Sequence, residues 1–473
     1  MDKNLGQVFT PKWVVEMMIS DIKFENENIL EPSCGDGAFL KEIVKYILNL
    51  DISNEEKKSI LENQIEAFEI DTNIYNLCIE NLNTLAAQYG ISNVNWNIHN
   101  EDTLKYDFKD KKYTYIIGNP PYIRLHNLDK EYRTFLKNNF RFCKGTTDIY
   151  VAFYEKCLNL LTKNGSLIFI TPNSFLRNVG FNEFRKHIYN NNLLKELKDF
   201  KSSKVFTAAT YCAIMTLGKK EEKTFEYKEY NNEKCLLKET KTIEVLNTEK
   251  WILSSSENET FLNEIKDIPQ FNINVQYGIA TLRDKIYITS EFEQINDILC
   301  KFKNYIIETD LIRVIVKGSK IGRLQPTEYC IFPYNKTENG YKPFTEQELA
   351  GKYPRTYLYF LDNKEELLKR DMDKNYTSWF QYGRSQGIQM LINDKLVVDP
   401  IVNPNSKVIC LPEDKNTLVY SGIFITGENL EEVRKTIISE NFVKYVSIKG
   451  KDMQGGFKSL TTKIIKDYLK NER

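Results

Sequence analysis

The sequence predicts an α/β protein, with a doubly wound sheet over the first half and a region of mixed α and β structure over the second. Three observations carry this. Short apolar runs alternate with amphipathic helical segments as far as about residue 220. Acidic residues recur at successive strand ends. Gly118-Asn119-Pro120-Pro121-Tyr122 directly follows the apolar run Tyr113–Ile117. The two prolines stop a helix from starting there, so an amide, two stiff residues and an aromatic ring are fixed at a strand end. Open α/β sheets bind ligands at that end of their strands.

In chain order, Thr10 reads as an N-cap with Pro11 at the first helical position, ahead of the apolar face Val14, Met17 and Met18. The same turn is also placed to close over a bound ligand. Ile29–Glu31 is a short strand. Pro32-Ser33-Cys34-Gly35-Asp36-Gly37 is a loop, and a helix continues through Phe39-Leu40, Ile43-Val44 and Ile47-Leu48. Gly35 and Gly37 allow a tight turn and close backbone approach. The loop is neither GxGxxG nor a P-loop, and Glu31 before it favours a cationic ligand over a pyrophosphate. Ile65–Asp71 is a second strand ending in Glu69 and Asp71, where a doubly wound sheet places the acid that binds ribose hydroxyls. Glu69 is the first choice for it and Asp71 the second. After a helix over Tyr75–Ala87, Val94–Ile98 is a third strand, followed by Asn100-Glu101-Asp102. Asp102 is a further acceptor, suited to an adenine amino group. Each acid alone also reads as a solvated loop end. Their succession ahead of Asn-Pro-Pro-Tyr is the stronger signal.

At the fourth strand end, Asn119 offers an acceptor oxygen and Pro120 a carbonyl without a competing N–H. Two adjacent acceptors suit an exocyclic amine, and Tyr122 gives a face for its ring. The charged segment Ile123–Lys144, which includes Arg124, reads as a solvated face or a contact to a phosphate backbone. Thr147 or Asp148 is expected to cap an apolar helix over Val151–Leu161. Strands follow at Leu167–Pro172, Leu193–Asp199 and Thr210–Leu217, and Phe206 anchors the polar loop before the last of them.

With 473 residues the chain is too long for one ordinary core. The charged, apolar-poor stretch from Lys219 to about Asn247 reads as a boundary, dividing the chain into 1–240 and 241–473. An apolar content of 41% with 27% charged residues excludes a disordered chain. Lys plus Arg equals Asp plus Glu at 65 each, so net charge is silent on nucleic acid. The nine cysteines form no CxxC pair and only three histidines are present, so neither a metal site nor a disulfide framework is expected, and a reducing cytoplasm is. No apolar stretch is long enough to span a membrane, and the polar start is not a signal peptide.

The second half has strands at Phe271–Val275, Ile286–Ile288, Ile312–Val316, Lys395–Val398 and Lys407–Cys410, and a helix near Leu430–Ile438. Between them lie loops carrying Lys317, Lys320, Arg323, Arg384, Gln386 and Lys458. Those residue types anchor phosphates and read base edges.

The order of glycine loop, ribose acid, third acid and Asn-Pro-Pro-Tyr resembles the S-adenosylmethionine-dependent amino-methyltransferases. It is closest to the gamma-class DNA adenine-N6 methyltransferases of type II restriction-modification systems. Phe9-Thr10-Pro11 matches that family's leading segment, Glu31–Gly37 its glycine loop and Asn119–Tyr122 its catalytic tetrad; Thr103 departs from its pattern. Tyr277-Gly278-Ile279, Tyr382–Gln386 and Gly455-Gly456-Phe457 resemble its specificity domains. The resemblance implies a Rossmann-like seven-stranded methyltransferase sheet with the last strand antiparallel, and a C-terminal α+β DNA-recognition domain. It further implies that Thr10, Glu31, Ser33, Gly35, Gly37, Glu69, Asp102 and Asn119 bind S-adenosylmethionine. Asn119, Pro120, Tyr122 and Phe206 then form the catalytic pocket, with Phe206 stacking on the second face of a flipped base. The implied partners are double-stranded DNA, bound by a monomer, and a separate restriction endonuclease. Features beginning so near residue 1 leave no room for an N-terminal nuclease. Two alternatives stay open: an amino-methyltransferase acting on RNA bases or on protein glutamine, and a non-catalytic nucleic-acid-binding subunit.

Overall fold

A computed structural model describes residues 10–206, 210–265, 270–338, 340–371, 376–384, 387–389 and 393–469. Phe9 of the leading segment and Gln386 lie outside these residues. The chain forms two compact units, Met1–Ser255 and Ser256–Arg473.

The first unit is built on one mixed sheet. Its strands are β1 Ile29–Glu31, β2 Ile65–Phe68, β3 Ile98–His99, β4 Tyr113–Gly118, β5 Leu161–Pro172, β6 Leu194–Asp199, β7 Cys212–Leu217, β8 Thr224–Asn231 and β9 Lys234–Thr242. They lie in the order β3-β2-β1-β4-β5-β7-β6-β8-β9. Alternate residues of the central strands bury on opposite faces, as the pleat requires. Leu30 and Ile116 join one core, while Ile29 and Ile117 join the other. The second core is covered by helices α1 (Lys12–Ile19), α2 (Ala38–Leu48), α3 (Asn54–Asn63) and α4 (Thr72–Gln88). The first is covered by α5 (Lys130–Asn139), α6 (Tyr150–Asn159) and α7 (Asn182–Asn190). This is the doubly wound arrangement.

Strands β3, β2, β1, β4 and β5 are mutually parallel, with Glu31 opposite Ala67, Leu30 opposite Ile116 and Phe68 opposite His99. Their C-terminal loops therefore leave the sheet along one edge. β7 runs antiparallel between β5 and β6.

The sheet has nine strands where seven are expected. The two extra ones arise from the stretch that reads as a boundary. β8 pairs parallel to β6, and β9 returns antiparallel along it. The segment looks like a linker because both strands are rich in charged residues and β9 is mostly exposed. β8 is not: Phe225 and Tyr227 are fully buried in the first core. Lys201 reaches Glu229 at 2.9 Å across the same edge. The third strand is also shorter than the apolar run Val94–Ile98 implies, because Asn95 turns aside to donate its N–H to Glu62 at 2.8 Å.

Two expected helix caps are replaced. Pro11 occupies the N-cap position of α1 with no side-chain bond, and the Thr10 hydroxyl points elsewhere. α6 begins at Tyr150 behind an uncapped Ile149, while Asp148 accepts from Arg124 Nε at 3.2 Å.

The second unit is mixed α+β. One four-stranded sheet orders Ile273–Tyr277, Ile423–Gly427, Lys395–Val398 and Cys410–Glu413. Another orders Ile288–Thr289, Glu328–Ile331, Ile312–Lys317 and Leu418–Tyr420. Ile286 and Tyr287, expected in a strand, close the short helix Asp284–Tyr287 instead. Gly318 packs so closely on Gly422 that a side chain on either would collide with the other's Cα. No helix among the described residues is long and apolar enough to cross a membrane.

If the β8–β9 hairpin belongs to the core, Phe225→Ala should destabilise the first unit by about 3–5 kcal/mol. Denaturant unfolding of the full chain tests this, and a change under about 1 kcal/mol would mark the hairpin as a surface appendage.

Candidate functional site

The loops that leave the common sheet edge enclose a cleft of about 1170 Å³. Ser33 and Gly35 of the glycine loop, Glu69, Asp102, Asn119 and Tyr122 all line it. Ser33 and Tyr122, 89 positions apart in sequence, thus line one cleft because β1 and β4 are parallel neighbours.

The glycine loop is a tight turn, with the Gly37 N–H donating to the Cys34 carbonyl at 2.9 Å. Gly35 has φ +56°, and nothing stands within 4 Å of where its Cβ would be, so the backbone is open to the cleft. Gly37 has φ +85°, and a Cβ there would press on Cys78 Sγ at 2.9 Å. Gly35 is needed for shape and access, and Gly37 for shape and packing. Cys34 is buried, its sulfur 4.0 Å from that of Cys78, and serves as packing.

Glu69 braces this loop. One carboxylate oxygen accepts from the Gly35 N–H at 3.0 Å and the other from the Asp71 N–H at 2.9 Å. A carboxylate has four acceptor positions, so two hydrogen bonds leave capacity for hydroxyl donors. Asp71, the second choice, is committed to α4, where its Oδ1 accepts from Asn73 and Ile74 N–H at 2.9 and 3.2 Å. Asp71 is not part of the cleft lining, whereas Glu69 is.

Glu31 is 1% exposed, and its Oε2 has no hydrogen-bond partner among the described residues. Burial pushes its carboxyl well above the ordinary range, with further pressure from Cys78, Asp36 and Glu69; the Leu40 backbone N–H partly opposes this. Burial also raises Glu69. The cleft lining carries Glu69, Glu101, Asp102, Asp129 and Glu131 against the one lysine, Lys105. That field suits a ligand bearing positive charge.

Asn119 sits just beyond β4 and is gripped from two sides. The Ser33 hydroxyl donates to its carbonyl at 3.3 Å, and its own Nδ2 donates to Thr10 Oγ1 at 3.1 Å. Thr10 thus supports the amide instead of capping α1. Pro120 is buried and Pro121 lines the cleft. The Tyr122 hydroxyl donates to the Ile170 carbonyl at 3.1 Å, and burial raises its pKa well above the usual phenol range. It is a fixed phenol, not an acid or base at neutral pH. Phe206 is 5% exposed and meets Tyr122 edge-on, with ring centroids 6.2 Å apart and planes at 68°. The two rings touch each other in this structure, and the cleft lining includes Tyr122 without Phe206.

Several lining residues lie outside the predicted set of site residues. Thr103 donates its hydroxyl to the Pro32 carbonyl at 2.5 Å, tying the third strand's loop to the first's. Tyr132 donates to Asp102 Oδ2 at 2.9 Å, and Phe135 and Lys105 stand beside it. The signal was present as apolar residues at helical spacing, Leu128, Tyr132, Phe135 and Leu136, within the charged segment after the tetrad.

The basic residues singled out for DNA are differently placed. Lys320 and Arg323 are exposed on the turn after Ile312–Lys317, and the Lys317 ammonium lies 5.5 Å over the Tyr420 ring. Arg384 bonds Asp371 Oδ2 at 3.0 Å, and Lys458 meets Asp452 Oδ1 at 2.6 Å in a largely buried pair. Arg124 leans on Asp148, as above. Among the described residues no group of three His, Cys, Asp or Glu is arranged to hold a metal.

A family model described as Eco57I restriction-modification methylase matches residues 38–206, from α2 to Phe206. The type II restriction enzyme and methyltransferase RM.Eco57I of Escherichia coli is 24% identical, across 94% of this chain and 54% of its own length. The type II methyltransferase M.BstVI of Geobacillus stearothermophilus is also 24% identical, across 85% of this chain and 78% of its own. The type IIL restriction-modification enzyme MmeI, solved in complex with DNA, shares the fold with a TM-score of 0.64 at 13% identity, across 95% of this chain and 64% of its own. The chain therefore spans about half the length of RM.Eco57I and somewhat under two thirds of MmeI. These likenesses support a restriction-modification methyltransferase family.

The buried carboxyl gives a pH test. Because the folded-state pKa of Glu31 is raised, the native state holds a proton that the unfolded chain has released once pH exceeds the ordinary carboxylate value of about 4.3. Its contribution to stability therefore falls as pH rises above that value. Glu31→Gln should raise the thermal midpoint of the ligand-free protein at pH 7–8, with the gain shrinking toward zero near pH 4. A gain independent of pH would contradict this account.

Proposed function

We propose that this chain transfers a methyl group from S-adenosylmethionine to the exocyclic N6 amine of an adenine flipped out of double-stranded DNA. The observation that carries the proposal is Asn119, its side-chain amide tethered to Thr10 and its backbone carbonyl to Ser33 at the rim of an acid-lined cleft, followed directly by Pro120, Pro121 and Tyr122. The fold shared with DNA-bound MmeI and the family match over residues 38–206 support it.

The residues present fit the cofactor. The open cradle at Gly35 and the remaining acceptor capacity of Glu69 suit a ligand with ribose hydroxyls, and the acid-lined cleft suits its cationic groups; Glu31 is buried outside the cleft lining and is kept in the proposed set for its unsatisfied oxygen. Thr10, Ser33, Gly37 and Asp102 complete the proposed set. S-adenosylmethionine supplies an electrophilic sulfonium methyl when bound.

The protein's part is positioning and charge stabilisation. An adenine amine is a poor nucleophile because its lone pair is delocalised into the ring. The Asn119 side-chain oxygen and the Pro120 carbonyl would accept its two hydrogens, letting nitrogen move toward tetrahedral geometry as positive charge develops. Tyr122 offers the stacking face, its phenol held still by Ile170. Phe206 is proposed for the opposite face, a role that needs its edge contact with Tyr122 to open. Stacking would then offset part of the few kcal/mol spent on unstacking the base.

The second unit is proposed to recognise the target sequence, with Lys317, Lys320, Arg323, Arg384, Gln386 and Lys458 as its DNA contacts and Arg124 contributing from the first unit. A monomer on DNA in the cytoplasm, accompanied by a separate restriction endonuclease, is the proposed setting.

Asn119→Ala should lower methyl transfer to a varied duplex library by at least about 10²–10³-fold, while calorimetric affinity for S-adenosylhomocysteine stays nearly intact. Sequencing for N6-methyladenine reads the first and titration the second. Equal losses in rate and cofactor affinity, or a wild-type protein that methylates RNA or protein in preference to duplex DNA, would overturn the assignment.

A further inference from the structure

We infer that Tyr132 is a positioning residue that aims the Asp102 carboxylate and thereby sets selectivity for an amine-bearing purine in the cofactor cleft. The inference rests on the proposed binding of S-adenosylmethionine.

Three observations meet at this point. First, both Asp102 oxygens are anchored from different elements. Oδ1 accepts from the Leu104 N–H at 2.9 Å, within its own loop, and Oδ2 accepts from the Tyr132 hydroxyl at 2.9 Å, from α5. Each oxygen keeps a second lone pair, so the pair of bonds fixes the plane of the carboxylate while leaving acceptor capacity toward the cleft. Second, Tyr132 is held independently of that bond. Asp129 Oδ1 caps α5 through the Tyr132 N–H at 2.8 Å, and the ring stacks on Phe135 with centroids 5.8 Å apart and planes at 21°. Lys105 Nζ lies 5.0 Å from the Tyr132 ring centre and 5.6 Å from that of Phe135. A hydroxyl on a ring braced in this way is a rigid donor. Third, Asp102, Lys105, Asp129, Tyr132 and Phe135 all line the cleft that holds Glu69 and Asn119.

The chemistry follows from what Asp102 is left able to do. An acceptor-only carboxylate with a fixed plane bonds an exocyclic amine and repels a carbonyl oxygen at the same position. Without the Tyr132 hydroxyl, only Leu104 orients the group. It can then rotate, and discrimination falls although the acid itself is unchanged.

The test compares two ligands on this 473-residue chain by calorimetry: S-adenosylhomocysteine and its analogue carrying a carbonyl oxygen in place of the 6-amino group. Wild type should prefer the amine. Tyr132→Phe keeps the ring, the stack and the helix cap, so its unliganded thermal midpoint should stay close to wild type. It should bind S-adenosylhomocysteine about tenfold or more weakly, since hydrogen bonds to charged groups carry effects of that size. Affinity for the oxo analogue should change little, so the preference collapses. Asp102→Asn should lose the preference as well, and the double variant should lose no more than Asp102→Asn alone, because the hydroxyl acts through the carboxylate. In turnover, Tyr132→Phe should raise KM for the methyl donor with kcat largely kept.

Equal weakening toward both ligands, or additive losses in the double variant, would show a merely structural tyrosine and overturn the inference. So would an unchanged preference in Tyr132→Phe. A wild-type protein that binds neither ligand would instead overturn the cofactor reading beneath it.

Discussion

The site depends on one constraint, the parallel pairing of β2, β1 and β4, which brings the loops after them to a single edge. Everything local to Asn119 follows from it. β4 ends against the glycine loop, where a Cβ on Gly118 would meet Pro32 at 3.5 Å, an ordinary contact. Ser33 can then reach the Asn119 carbonyl, and Thr103 can reach the Pro32 carbonyl. These bonds join the first, third and fourth strand ends into one rim. Thr10 closes that rim from the far end of the sequence by accepting from the Asn119 amide.

The rim is costly in stability. Glu31 is buried with an oxygen that no described group satisfies, and Glu69 and the glycine loop press further negative charge around it. A fold selected for stability alone would place an apolar residue there. Burial raises Glu69 as well, but the backbone N–H groups braced by its two oxygens oppose that shift. Two buried acids, Glu31 seven positions before α2 and Glu69 six positions after α3, would look alike in a sequence; their partners make one a brace and leave the other with an unsatisfied oxygen.

The second unit shows a different use of its residues. Close glycine packing, as between Gly318 and Gly422, explains some of its glycine-bearing loops without reference to any ligand. Lys458 and Arg384 are engaged with carboxylates, whereas Lys320 and Arg323 stand exposed on one turn. Equal basic residues in the sequence are thus unequal in the structure.

The central part of the architecture was legible because it is written in local, repeating terms. Apolar runs of strand length, helical stripes, Gly35 and Gly37 after Glu31, and the stiff Asn119–Tyr122 corner each carry their meaning within a few residues. What was not legible depends on distant partners. Whether Thr10 caps a helix or holds an amide is decided by Asn119, and whether Asp71 or Glu69 faces the cleft is decided by where α4 begins. The β8–β9 strands looked like a linker because only one face of a charged hairpin is buried, and that burial exists only once β6 is beside it. Tyr132 looked like part of a solvated charged segment until α5 came to rest against Asp102. By itself, then, the sequence determined the sheet's central strands and the residue types at their ends, since propensity and periodicity act over short spans. The tertiary structure alone decided which of those side chains share a partner, because hydrogen bonds and burial act through space between residues that the chain keeps far apart.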